Sequence, residues 1–128
     1  MTFKLSQKSI DRLSGVHPDL VSVVKRAIEI SEVDFAVLEG FRSKARQEQL
    51  VAAGASQTMN SRHLTGHAVD LGAIVAGTVR WDWPLYYKVA DAVKKSAAEL
   101  NVPIEWGGDW KKFKDGPHFQ LPHKEYPA

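Results

Sequence analysis

The sequence predicts an α+β domain in which helices pack on a small, mostly antiparallel sheet. Several segments carry apolar residues at the three and four spacing of a buried helix face, and several shorter ones alternate or run apolar as strands do. The two kinds of segment do not follow one another in the regular strand-helix repeat of a parallel sheet. With 128 residues and no repeat, low-complexity tract or Gly/Ser linker, residues 1–128 are expected to form one domain.

Each element has a local reason. "LSQKSIDRL" predicts a short helix capped near Ser6, with Ile10 and Leu13 turned inward. Pro18 opens a longer helix whose buried face is Leu20, Val23, Val24, Ala27 and Ile28, and His17 before it is a surface or capping residue. "DFAVLEG", residues 34–40, is short and alternating, which predicts a strand. Ser43 caps a helix through "KARQEQLVAAG" that Gly54 ends, and the polar "ASQTMNSR" is a loop. "HAVDLGAIVAGTVRW" predicts a strand, a turn at Ala76-Gly77 and a returning strand with Val79 and Trp81. In "WPLYYKVADAVKKSAAEL" the residues Leu85, Val89, Val93, Ala97 and Leu100 share a helix face. A short strand around "PIEW", a Gly-Gly loop and a last strand from Pro117 through "HFQL" complete the chain.

Composition narrows the function. A net charge of +2 without a basic block gives no footprint for nucleic acid, although an anionic wall polymer would still attract the chain weakly. The chain has no cysteine, so any metal must be held by nitrogen and oxygen. No segment approaches the length of a membrane span, and the N-terminal stretch lacks the apolar run of a signal peptide. The expectation is therefore no membrane insertion and cytoplasmic synthesis without an export route, and, because core packing accounts for the aliphatic stripes, a monomer.

The stretch "SRHLTGHAVDLG", residues 61–72, concentrates the chemistry. On the strand reading, Val69, Leu71, Ala73 and Val75 face one way and Asp70, Gly72 and Ile74 the other. A lone carboxylate inside an apolar strand costs several kcal/mol unless a cation or strong donors face it, so Asp70 requires a metal, or Arg42 or Arg62. His63 and His67 have the spacing of a helical metal-binding pair, but Gly66 between them and the strand that follows argue against a helix. A His63/Asp70 pair is therefore preferred.

A catalytic zinc takes three protein ligands and keeps one position open. His118, on the last strand and sharing a face with Gln120, is the best third ligand, and Asp115 in "KDGPH" is placed to act as a general base. Structural histidines and a turn-forming aspartate account for the spacing equally well.

"SRHLTGHAVD" fits S-x-H-x-x-G-x-A-x-D, and "DGPH" fits a downstream acid-x-x-His element. Together they resemble the zinc D,D-carboxypeptidase and L-alanyl-D-glutamate peptidase family, which cuts bacterial peptidoglycan stem peptides. "EGFRSKARQEQLVAAGAS", "EWGGDW" and "PHFQL" extend the likeness to its phage endolysin branch, over residues 39–121. The resemblance implies His63, Asp70 and His118 as zinc ligands, Asp115 as base, and Arg42 as the arginine that holds substrate or stabilises the oxyanion. It places Ser61 near the substrate and leaves His67 at a variable position. Glu105, Trp106 and Trp110 flank the Gly-Gly loop and are weaker candidates to line the cleft. The carboxypeptidase members typically carry glutamate as base, so Asp115 favours cleavage of the L-alanyl-D-glutamate bond during phage-induced lysis, after a separate protein has permeabilised the membrane. The competing readings are a D-alanyl-D-alanine carboxypeptidase or dipeptidase, and a zinc-stabilised wall-binding module without turnover.

Overall fold

In the computed structural model, which describes residues 3–54, 61–111 and 114–127, the elements run α1 (Gln7–Arg12), α2 (Pro18–Ile30), β1 (Asp34–Glu39), α3 (Lys44–Ala52), β2 (Ala68–Val75), β3 (Thr78–Arg80), α4 (Trp83–Leu100), β4 (Glu105–Trp106) and β5 (His118–Gln120). Short 3-10 turns over Arg62–Thr65 and Gly107–Asp109 carry the chain into the site. This is the α+β architecture expected from the sequence, with an antiparallel sheet in the order β1-β2-β5-β4. β2 is central. One of its edges pairs with β1, while on the other edge its first half pairs with β5 and its second half with β3.

The core lies on one face of this sheet. Leu20, Val23, Val24, Ala27 and Ile28 of α2 are buried as their spacing requires, together with Phe35, Val37, Val69, Leu71, Ala73 and Phe119 from the strands. α4 packs on α2, and the Ser96 hydroxyl donates to the Val23 carbonyl at 2.7 Å, which lets a polar residue sit in the middle of the contact.

Several boundaries and faces differ from the sequence reading. Ile10 is 42% exposed, and α1 buries Ser9 in its place. Leu100 is likewise exposed, because the buried face of α4 runs through Tyr86, Val89, Ala90, Val93, Ser96 and Ala97 and has turned away by the last turn. Trp81 falls after β3 and faces solvent, and β4 and β5 are shorter than the apolar runs around them. Most of the expected "ASQTMNSR" loop lies outside the described residues.

A bulge in β1 sets up the site. Val37 pairs with Leu71, yet it is Glu39, two residues on, that pairs with Asp70. The extra residue is Leu38, whose side chain sits over Gly72 where a Cβ would collide with it. Without the bulge Leu38 would stand opposite Asp70; with it, a second carboxylate does.

Candidate active site

Asp70 and His118 are direct partners across β2 and β5, so their side chains emerge side by side on the sheet face away from the core. Their neighbours Val69 and Phe119 form the adjacent pair and point into the core. His63 arrives from the 3-10 turn. Ser61 caps that turn by accepting the His63 N–H, and Gly66 closes it with φ +77 beside the Gly15 carbonyl, a conformation and a closeness that exclude a side chain.

One ligand atom from each of His63, Asp70 and His118 lies within 4.8 Å of the others. His63 Nε2 and His118 Nδ1 each stand 3.3 Å from Asp70 Oδ1, and the two rings meet edge to face. Their remaining nitrogens are engaged: His63 Nδ1 donates to the Gly40 carbonyl at 2.8 Å, and His118 Nε2 contacts Gln120 Oε1 at 2.8 Å. Such outer bonds fix the tautomer and aim the free nitrogen of each imidazole inward, as a metal ligand requires. Two imidazoles and one carboxylate form a nitrogen and oxygen donor set suited to a divalent transition metal.

Electrostatics tie the three together. Burial raises the Asp70 carboxyl, but hydrogen bonds and charge from His118 and His63 outweigh it and hold the group well below the usual carboxylate range. Burial lowers His118, and Asp70 overcomes this to raise the imidazole above its ordinary value. Asp115 is raised, first by burial and then by the negative Asp70, while His118, His63 and Arg42 pull it down. Its backbone is locked on both sides: Asp115 N–H donates to the Gly107 carbonyl, and the Asp115 carbonyl accepts from His118 N–H. A Cβ on Gly107 would lie 2.3 Å from the Asp115 carbonyl oxygen, so "EWGG" carries glycine there for close packing.

Arg42 is buried and held from three directions. Its Nε and Nη2 donate to the two Glu39 oxygens at 2.6 and 2.8 Å, Nη1 donates to Gln47, and Nη2 stands 3.9 Å from Asp70 Oδ2. One N–H on each Nη remains beyond these bonds. The alternative that Arg62 satisfies Asp70 is not what the structure has: Arg62 donates to the carbonyls of Leu121 and Tyr126 and clamps the C-terminal segment.

The other candidates separate. His67 bonds Thr65 through Nδ1 and lies with its ring tilted against that of His17, so the helical pair with His63 does not form and His67 stays outside the ligand group. His17 caps α2, accepting from the Asp19 N–H. Trp106 is a core residue, 3% exposed, with its indole N–H on the Gly116 carbonyl, which corrects its assignment to the cleft lining. Trp110 is half-buried with its ring 5.2 Å from His118. Glu105 accepts from Gln120. Sequence reasoning missed Glu39, Gln47 and the Gly40 carbonyl, whose roles depend on the bulge and on the loop that follows it.

Two histidines and an aspartate converging on one point, with a further carboxylate fixed beside them, place the protein among the metallopeptidases. The chain belongs to the phage L-alanyl-D-glutamate peptidase family, whose model matches residues 1–121. It is 33% identical over 119 residues to the L-alanyl-D-glutamate peptidase of Escherichia phage T5, which covers 90% of this chain and 87% of that one. The peptidoglycan L-alanyl-D-glutamate endopeptidase CwlK of Bacillus subtilis is 30% identical over 126 residues, covering 84% and 74%. The crystal structure of the L-Ala D-Glu endopeptidase ChiX of Serratia marcescens matches with a TM-score of 0.93 and 53% identity, over 98% of this chain and 95% of that one.

Proposed function

We propose that this protein hydrolyses the L-alanyl-D-glutamate bond of peptidoglycan stem peptides, with zinc held by His63, Asp70 and His118 and Asp115 as general base. The observation that carries this reading is the ligand geometry: three donors within 4.8 Å, each imidazole fixed through its other nitrogen. Zinc bound there supplies Lewis acidity that polarises the peptide carbonyl and acidifies water. Asp115 takes a proton from the attacking water and delivers it to the departing D-Glu amine, a role that its partly buried position and fixed backbone support. The buried Arg42 guanidinium, beside Asp70, stabilises negative charge as it develops on the carbonyl oxygen. Ser61 acts through the loop that presents His63, and Trp110 walls the cleft beside His118.

The proposed setting is host lysis, with the wall reached once the membrane is permeabilised, and the phage source of two relatives named L-alanyl-D-glutamate peptidase supports it. Among the described residues no helix is long and apolar enough to cross a membrane. Residues 1–128 are taken as one peptidase domain working as a monomer. Mass spectrometry of digested murein tests the assignment: new D-Glu amino termini should appear, and a chelator should abolish them. Release of D-Ala instead would identify a carboxypeptidase, and wall binding without any cleavage a non-catalytic module.

A further inference from the structure

We infer that Glu105 and Gln120 are positioning residues that fix the tautomer of His118 through a two-step hydrogen-bond chain. The inference rests on the metal reading of His63, Asp70 and His118. Glu105 and Gln120 are direct partners across β4 and β5, and Gln120 lies two residues from His118 on the same face of β5. His118 Nε2 lies 2.8 Å from Gln120 Oε1, and Gln120 Nε2 donates to Glu105 Oε2 at 3.2 Å.

The polarity of this chain has one solution. A carboxylate only accepts, so Glu105 forces the Gln120 amide to turn its NH₂ toward β4 and its carbonyl toward His118. An amide carbonyl also only accepts, so His118 must carry its proton on Nε2. The proton that a metal would displace is then the one on Nδ1, shared with Asp70 at 3.3 Å in the metal-free protein, and the neutral imidazole that remains has its lone pair on Nδ1. A carboxylate three side chains from the metal position thus decides which histidine nitrogen is free to bind. His63 achieves the same end with a backbone carbonyl, which cannot flip. His118 uses a glutamine, which can, and Glu105 prevents it.

If Glu105 is replaced by glutamine, the Gln120 amide can rotate, donate to His118 Nε2 and favour the proton on Nδ1, which blocks the ligand atom. Outer-shell partners of this kind change metal affinity by roughly 10- to 100-fold. The test is zinc affinity by chelator competition for wild type, Glu105→Gln, Gln120→Leu and the exchanged pair Glu105→Gln/Gln120→Glu, with thermal unfolding of each metal-free protein alongside. Glu105→Gln and Gln120→Leu should each weaken zinc binding about tenfold or more. Gln120→Leu removes no charge, which separates the effect from simple attraction of the cation. The exchanged pair keeps the total charge and restores an acceptor facing His118, so it should recover most of the affinity that Glu105→Gln loses.

Wild-type affinity in both single variants, with or without a lower metal-free unfolding temperature, would overturn the inference in favour of a strand-pairing role. So would an exchanged pair as weak as Glu105→Gln. Glu105→Gln is isosteric at a half-buried position, so it preserves the fold needed for the comparison. A wild-type protein that binds no zinc, or binds it equally well after His118→Ala, would instead sink the metal reading itself.

Discussion

Asp115, the proposed base, lies outside the candidate ligand group, so its loss should separate turnover from metal binding. Asp115→Asn should lower kcat by roughly 10²- to 10⁴-fold while zinc content, measured by atomic emission on the purified protein, is unchanged. Equal activity would remove Asp115 from the mechanism. The three residues that converge and Asp115 beside them stood out in the sequence because each is locally anomalous. Asp70 is a carboxylate in an apolar strand, and His118 follows a turn acid at a fixed distance. The surroundings of Arg42 could not be read. Its pairing with Glu39 depends on Leu38 being the extra residue of a bulge, and register shifts leave no mark on alternation that short. Glu105 was legible as a weak candidate to line the cleft but not as a partner of Gln120, which is fifteen residues on and meets it by strand pairing alone.

At the scale of elements, α1 explains both its own misread face and the protection of a sheet edge. β1 ends the sheet, and an unpaired edge strand exposes backbone groups that must find partners. Ser9 Oγ accepts the Val37 N–H at 3.0 Å, and Arg12 Nη1 donates to the Val37 carbonyl at 3.0 Å. Ser9 must therefore point inward, which turns Ile10 out, against the rule that the apolar residue takes the core side. Ser9→Ala should cost about 1–3 kcal/mol by urea denaturation, since it strands a buried N–H, whereas Ile10→Ala should cost far less. Comparable losses would show that the edge is not held this way. The β2–β3 hairpin was legible as a turn at Ala76-Gly77, but its energetics come from the backbone: Ala76 has φ 52 and Gly77 φ 79. The left-handed conformation costs a non-glycine residue roughly 1–2 kcal/mol, and glycine gives back about half of that in chain entropy. Ala76→Gly should thus stabilise the protein by about 0.5–1 kcal/mol in the same assay.

Across the whole molecule the sheet separates two kinds of chemistry. One face carries Val69, Leu71 and Phe119 into the core, while the other carries a polar row from Glu105 through Gln120, His118 and Asp70 to Glu39 and Arg42. On the proposed metal site, protons and the metal would compete for the same atoms in that row, which couples stability to pH with opposite signs in the two states. In the metal-free chain His118 is raised by Asp70, so its contribution is fully present below the ordinary imidazole value of about 6.5 and is lost as pH rises through the folded value. Asp70 is depressed, so its contribution is present above about 3.9 and is lost as pH falls through its folded value. The two overlap between about pH 4 and 6.5, where the metal-free protein draws most from the pair. Metal binding must expel the His118 proton, so below the raised imidazole pKa affinity should fall about tenfold per pH unit. Because a ligand at fixed free concentration L stabilises the folded state by RT ln(1 + L/Kd), the Tm difference between zinc-loaded and metal-free protein should widen as pH rises from about 5 through the ordinary imidazole value of about 6.5, and level off above the folded His118 value. Differential scanning calorimetry in both states, at fixed free zinc, measures it. A gap that stays constant over that range would mean that no proton leaves when the metal enters, and that His118 is not a ligand.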